Sequence, residues 1–115
     1  MNIHSDFTTD TINNTFIVTV NLSRATFKEV VELQKLLSNA LNNGYKKILV
    51  EMMEVDYIDS TFLGLLIVYL KKTLRIEGDF YLVGLKPSVY SIIQNINLDK
   101  TFNIHVSRKE ALKQN

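Results

Sequence analysis

Val55-Asp56-Tyr57-Ile58-Asp59-Ser60-Thr61-Phe62-Leu63-Gly64-Leu65-Leu66 is the stretch on which the reading of this chain turns. An apolar run, Ile48-Leu49-Val50, stands before it, and no charged residue occurs from Phe62 to Leu70 behind. Successive aliphatic residues suit a strand buried on both faces, so residues 47–52 are expected as a strand. The uncharged run suits a mostly buried helix over residues 60–77, with Leu63, Ile67, Leu70 and Leu74 as its core stripe. Phe62 falls off that stripe on the first turn and is expected to be exposed. Asp59, Ser60 and Thr61 sit where strand gives way to helix, and such side chains accept the free N–H groups of a helix's first turn. Local chemistry admits two roles for Ser60. It is either a cap alone, or a hydroxyl held at a fixed surface position beside a helix end that can accommodate an anion such as phosphate.

Towards the N-terminus, residues 16–21 alternate, with Phe16, Val18 and Val20 on one side and Ile17, Thr19 and Asn21 on the other. Asn13-Asn14 marks a turn, because Asn tolerates the left-handed conformation. With a first strand at residues 3–8 this reads as a hairpin. Thr26 and Glu29 have capping-box spacing ahead of a helix carrying Val30, Leu33, Leu37, Ala40 and Leu41 at helical intervals. Gly44 is placed to close it.

Towards the C-terminus, Lys71, Lys72 and Arg75 complement the dipole at the end of the central helix, and Gly78 ends it. Residues 80–85 form the next strand. Pro87 suits the first position of a third helix with Val89, Ile92, Ile93 and Ile96 facing inward. A short strand at residues 102–106 follows. Ser107 and Glu110 have capping-box spacing before a last helix over residues 108–113. The order is ββαβαβαβα. Strands alternating with helices imply a mixed, mostly parallel sheet in an α/β fold, with the first hairpin antiparallel and the helices mainly on one face.

Bulk properties narrow the function. The 115 residues suit one domain, residues 1–115, with an apolar content of 46% and a charged content of 22%. A net charge of +1 argues against binding nucleic acid or an anionic membrane by charge alone. With no cysteine there is neither a disulfide nor a thiolate site, which fits a reducing compartment. No signal peptide is visible and the longest apolar run is too short to span a bilayer, so a cytoplasmic protein is expected.

The segment Tyr57-Ile58-Asp59-Ser60-Thr61-Phe62-Leu63-Gly64 resembles the phosphorylation-site signature of the STAS family, in particular of bacterial anti-sigma factor antagonists. Those proteins typically carry Asp-Ser-Ser/Thr-Gly-Leu-Gly here. Ser60 matches the phosphoacceptor, Asp59 the preceding acid, Thr61 the second hydroxyl and Gly64 the second glycine. Phe62 departs, standing where the pattern has glycine, and Ser23 departs where members commonly place an aspartate near the strand-to-helix turn. Asn97-Leu98-Asp99-Lys100-Thr101-Phe102 and residues 107–112 also look like the family's ending. The resemblance implies a STAS fold and an anti-sigma factor antagonist regulated by partner switching in signal transduction and transcription. Unphosphorylated, it would bind an anti-sigma factor serine kinase and so release a sigma factor. Phosphorylation of Ser60 would end that binding, and a serine phosphatase would restore it. Asp59, Ser60, Thr61 and Phe62 are then the expected partner-binding residues. A monomer is expected, with no cofactor and no metal. The alternative is a STAS interaction subunit of a transporter or signalling assembly without a phosphoswitch, which Phe62 favours.

Enzyme chemistry finds no support in the residues. Ser60 lacks a Gly-x-Ser-x-Gly elbow, and there is no Walker loop or Gly-x-Gly-x-x-Gly. His4 and His105 lie near opposite ends, and His4 with Asp6 and Asp10 matches no metal template. A receiver domain would also use an aspartate after its third strand, but it needs an acidic pair in the early turn, which here reads Leu22-Ser23-Arg24-Ala25. Of the aromatics near Ser60, Tyr57, Phe62 and Tyr69 are each open to a core or a partner-facing role.

Overall fold

The Asn13-Asn14 pair adopts left-handed backbone, with φ of 50° and 64°, in a computed structural model that describes residues 5–113. Two successive left-handed residues make the two-residue turn whose twist matches a hairpin. They join strand β1 (Phe7–Ile12) to antiparallel strand β2 (Thr15–Val20). The turn sets the register, and β1 therefore lies further along than residues 3–8. Ile3 and His4 fall outside the described residues.

After β2 the chain makes a two-residue strand, β3 (Arg24–Ala25), which the alternation pattern does not reveal. Thr26 then opens the first helix with a complete capping box. Its side chain accepts from Lys28 N–H while Glu29 reaches back to Thr26 N–H at 2.8 Å. The first turn is tight (Phe27–Glu29) and continues as α1 (Val30–Asn42), burying Leu33, Leu37 and Ala40. Gly44, at φ 92°, closes it as expected, with Tyr45 N–H bonded back to Ala40 O.

Strand β4 (Lys47–Glu51) leads to a second two-residue strand, β5 (Tyr57–Ile58), and then to α2 (Ser60–Arg75). Strand β6 (Asp79–Val83), helix α3 (Pro87–Asn95), strand β7 (Asn103–His105) and helix α4 (Arg108–Leu112) complete the order. The main sheet runs β1-β2-β4-β6-β7 and is parallel except for the hairpin, while β3 and β5 pair in parallel as a separate ladder. Alternation within the strands divides the core. Ile48, Val50, Phe80 and Leu82 meet the residues of α1, α2 and α3 on one face. Ile17, Leu49, Tyr81 and Val83 meet Ala111 and Leu112 of α4 on the other. Three helices thus share a face, as expected, and only the short last helix crosses to the second.

Three expectations about the helices change. The core side of α2 is Phe62, Leu65, Leu66, Tyr69, Leu70 and Thr73, about 100° round the helix from the stripe read in the sequence. Leu74 is 48% exposed, and Leu63 and Ile67 are half-buried. With nearly every position of the first three turns apolar, periodicity could not select the true face. At the end of α2, Glu77 rather than Gly78 takes the left-handed position, at φ 59°. Gly78 answers a different need: a Cβ there would stand 1.8 Å from Lys46 O, the carbonyl that accepts the Asp79 N–H. On α3, Val89 and Ile93 are buried and Ile92 is half-buried, whereas Ile96 is 41% exposed just beyond the helix end.

Candidate functional site

The segment between β4 and α2 is held on two sides. Asp56 and Tyr57 both donate their N–H groups to Ser23 O, at 2.7 and 3.1 Å, and Asp59 N–H donates to Ala25 O at 3.3 Å. On the other side Lys86 pairs with Asp56 at 2.7 Å, and Ser88 Oγ donates to Asp56 O at 3.0 Å. The β3–β5 ladder therefore has a purpose the sequence does not display. It pins the loop before α2 against the start of α1, so that the first turn of α2 has a defined position. Ser23 contributes its carbonyl to this bracing.

Asp59 completes the arrangement. Its Oδ1 accepts Phe62 N–H at 2.8 Å, capping α2, and its Oδ2 accepts Phe27 N–H at 2.9 Å, at the opening of the first helix. One carboxylate thus satisfies free N–H groups at two helix starts. The bond from Phe62 N–H, ahead of that from Phe27, holds this carboxyl below the usual aspartate range, and it remains charged at neutral pH.

Ser60 is the first residue of α2, and its side chain and that of Thr61 are exposed. Because Asp59 is the cap, the Ser60 hydroxyl is spared that role. On the side of Asp59 lie Tyr57, 41% exposed with the Arg24 guanidinium 4.3 Å from its ring centre, and Phe27, 62% exposed. Phe62 does not belong to this surface. It is fully buried, stacked on the core side with Leu66, Tyr69 and Thr73. The expectation that it faces a partner is overturned, because positions 62, 66, 69 and 73 fall on one line along a helix. Its backbone N–H also belongs to Asp59. Tyr69, 3% exposed, is likewise core. The structure therefore brings Asp59, Ser60 and Thr61 together at the surface, and of the three aromatics only Tyr57 joins them.

Other candidates lead elsewhere. His105 is half-buried, with Nε2 2.7 Å from Asn103 Oδ1 and its ring beside Tyr81. Asp10 pairs with Arg108 at 3.2 Å. Among the described residues no group of acids and histidines is placed to hold a metal, and no helix is long and apolar enough to cross a membrane.

Comparison with known proteins agrees with this geometry. A protein of Thermotoga neapolitana, named as a candidate anti-sigma factor antagonist and TM1081 homologue, is 36% identical over 74 residues, which are 64% of this chain and 66% of that protein. The crystal structure of the corresponding Thermotoga maritima protein superposes with a TM-score of 0.84 at 26% identity, covering 96% of this chain and 95% of that one. The anti-sigma factor antagonist SpoIIAA in its unphosphorylated form has the same fold, with a TM-score of 0.81 at 17% identity over 94% of each chain. The STAS domain model matches residues 6–111, nearly the whole sheet-and-helix order described above and all of its braced loop, and on that match the chain belongs to the STAS domain family.

Proposed function

We infer that this protein is an anti-sigma factor antagonist that works by binding rather than catalysis, and that Ser60 is its phosphorylated switch. The observation that carries the reading is the exposed Ser60 hydroxyl on the first turn of α2, with the capping role taken by Asp59. Unphosphorylated, the surface of Asp59, Ser60 and Thr61 meets an anti-sigma factor serine kinase, and the sigma factor is released. A serine phosphatase resets the switch. Burial of Phe62 removes the residue that favoured a subunit without a switch, since a glycine-to-phenylalanine change filled from the core side leaves the outer surface free.

Phosphorylation adds about −1.5 to −2 charges and three acceptor oxygens. The helix start tolerates them, so the fold persists. At the partner surface they stand beside the fixed negative charge of Asp59, and a docked hydroxyl becomes a hydrated dianion. Losing ~3 kcal/mol of binding weakens a complex roughly a hundredfold, enough to release a partner.

The test combines a kinase assay with titration against the cognate anti-sigma factor. Ser60→Ala is expected to fold, to take no phosphate and to stay in the binding state. Ser60→Asp is expected to fold and bind at least tenfold more weakly, and Thr61→Ala to have the smaller effect on phosphate incorporation. Normal phosphorylation of Ser60→Ala, or wild-type affinity in Ser60→Asp, would place the switch elsewhere.

A further inference from the structure

Strand β1 is an edge of the main sheet, with β2 on one side and no strand on the other among the described residues. The register fixes which of its backbone groups face out. Phe7 lies opposite Val20 and Ile12 opposite Thr15, and Asn21 N–H donates to Asp6 O at 2.8 Å. Hydrogen-bonded and non-hydrogen-bonded pairs alternate in an antiparallel ladder. Residues 6, 8, 10 and 12 therefore turn their N–H and C=O groups to β2, and Phe7, Thr9 and Thr11 turn theirs outward. Such a row is a template for a further strand. β1 is well suited to be extended. It is six residues long with a regular register, it carries Thr8, Thr9 and Thr11, and it has neither proline nor lysine. The opposite edge, β7, has only three residues.

Asp10 interrupts this template. Its Oδ1 accepts the outward Thr11 N–H at 2.8 Å, and its Oδ2 accepts from Arg108 Nη1 at 3.2 Å. Arg108 is fixed in turn by Glu51, to which Nε and Nη2 donate at 2.9 and 2.7 Å, and the Glu51 side chain is 7% exposed. A buried carboxylate thus anchors the arginine, and the arginine anchors a second carboxylate on the sheet edge. An aspartate on an open strand is ordinarily free to turn into water. This one is held over a backbone donor that a new strand would need.

We propose that Asp10 guards the β1 edge against β1 of a second copy of this chain and so keeps the protein monomeric. The strand is self-complementary about Thr9. Laid antiparallel to itself, Thr9 of one copy meets Thr9 of the other, and Phe7 meets Thr11. Registers that bypass Thr11 pair a shorter part of the strand. In the full register Asp10 opposes the contact twice. Its Oδ1 occupies the Thr11 N–H that the Phe7 carbonyl of the other copy would accept. The two Asp10 residues also fall diagonally across the new seam, about 7–8 Å apart, where like charges repel. The proposal does not rest on the Ser60 switch.

The test is sedimentation equilibrium with amide hydrogen exchange on the full chain. In the wild type, Thr11 N–H is expected to exchange at least tenfold more slowly than Thr9 N–H, although both face outward, and the protein to be monomeric. Asp10→Thr removes both acceptor and charge at a site whose side chain is 56% exposed, and keeps strand propensity. It is expected to dimerise at least tenfold more tightly than any self-association of the wild type, with slower exchange at Thr9 in the dimer. Asp10→Lys restores like-charge repulsion and is expected to stay monomeric. Asp10→Asn keeps an acceptor oxygen without the charge, is expected to self-associate less tightly than Asp10→Thr, and serves if that variant does not fold. A monomeric Asp10→Thr, a dimer with unchanged Thr9 exchange, or a wild type already paired through β1 would overturn the proposal. So would a wild type in which Thr11 exchanges as fast as Thr9. If monomeric Asp10→Thr instead shows Thr9 protection with an unrelated threonine-rich peptide, the edge belongs to a foreign strand and the proposal fails.

Discussion

Phe62 shows how one side chain can serve the fold at a position whose neighbours serve the surface. Its ring is fully enclosed by the main core, whereas Ser60 and Thr61, two residues and one residue before it, are exposed. Helical geometry separates them, since each step turns the side-chain direction by about 100°. Phe62→Ala is expected to destabilise the protein by about 3–5 kcal/mol, the usual result of deleting a buried ring whose cavity cannot fully collapse. Against a typical total of 5–15 kcal/mol that is a large fraction. Urea unfolding followed by circular dichroism would measure it, and a change below about 1 kcal/mol would contradict the burial. Phosphate incorporation at Ser60, measured under conditions where the variant remains folded, is expected to be little changed.

Helix α4 has only five residues, too few to be helical alone. Its stability comes from Ala111 in the smaller core and from Arg108, which reaches back across the sheet. Arg108 Nε and Nη2 donate to the two oxygens of Glu51 at 2.9 and 2.7 Å, and Thr19 Oγ1 adds a bond of 2.6 Å. Burial pushes the Glu51 carboxyl up, but the Arg108 and Thr19 bonds together outweigh it and hold the group below its ordinary value. The contact with Glu51 correspondingly raises Arg108. A carboxyl lowered by folding stabilises at pH above its unfolded value, and that stabilisation is lost as pH falls through the lower folded value. The clamp is therefore complete at neutral pH and is lost in acid below about pH 4. Glu51→Gln is expected to cost about 1–3 kcal/mol at pH 7 and much less at pH 3. Arg108→Ala is expected to speed hydrogen exchange at the Ala111 amide, which bonds to Ser107 O. Equal losses at both pH values for Glu51→Gln would show that the charge is not what matters.

At the scale of the molecule, the same strands supply both cores: Ile48 and Val50 of β4 point one way and Leu49 the other. Neither face can melt without exposing the sheet to water. The radius of gyration of 13.0 Å is that expected of a compact folded chain of this length. We therefore expect residues 1–115 to unfold as one cooperative unit, with far-ultraviolet circular dichroism and tyrosine fluorescence giving one coincident urea transition. Separated transitions would mean that α4 and its side of the sheet open independently.

The strand and helix order was legible because local rules and tertiary structure agree there. The Asn13-Asn14 turn, the Thr26–Glu29 capping box, Pro87 and the Ile48-Leu49-Val50 run each act within a few residues of chain. Ser60 was legible for the same reason, as a polar step between apolar segments. The orientation of α2 was not, because a helix apolar on most sides can be packed several ways, and only the shape of the sheet and of α1 selects one. That choice placed Phe62 inside, and left Leu74 exposed and Leu63 and Ile67 half-buried. The reach of Asp59 from Phe62 to Phe27, and the β3–β5 ladder behind it, join residues about thirty positions apart, a separation at which no local pattern carries the pairing and only the folded chain decides it.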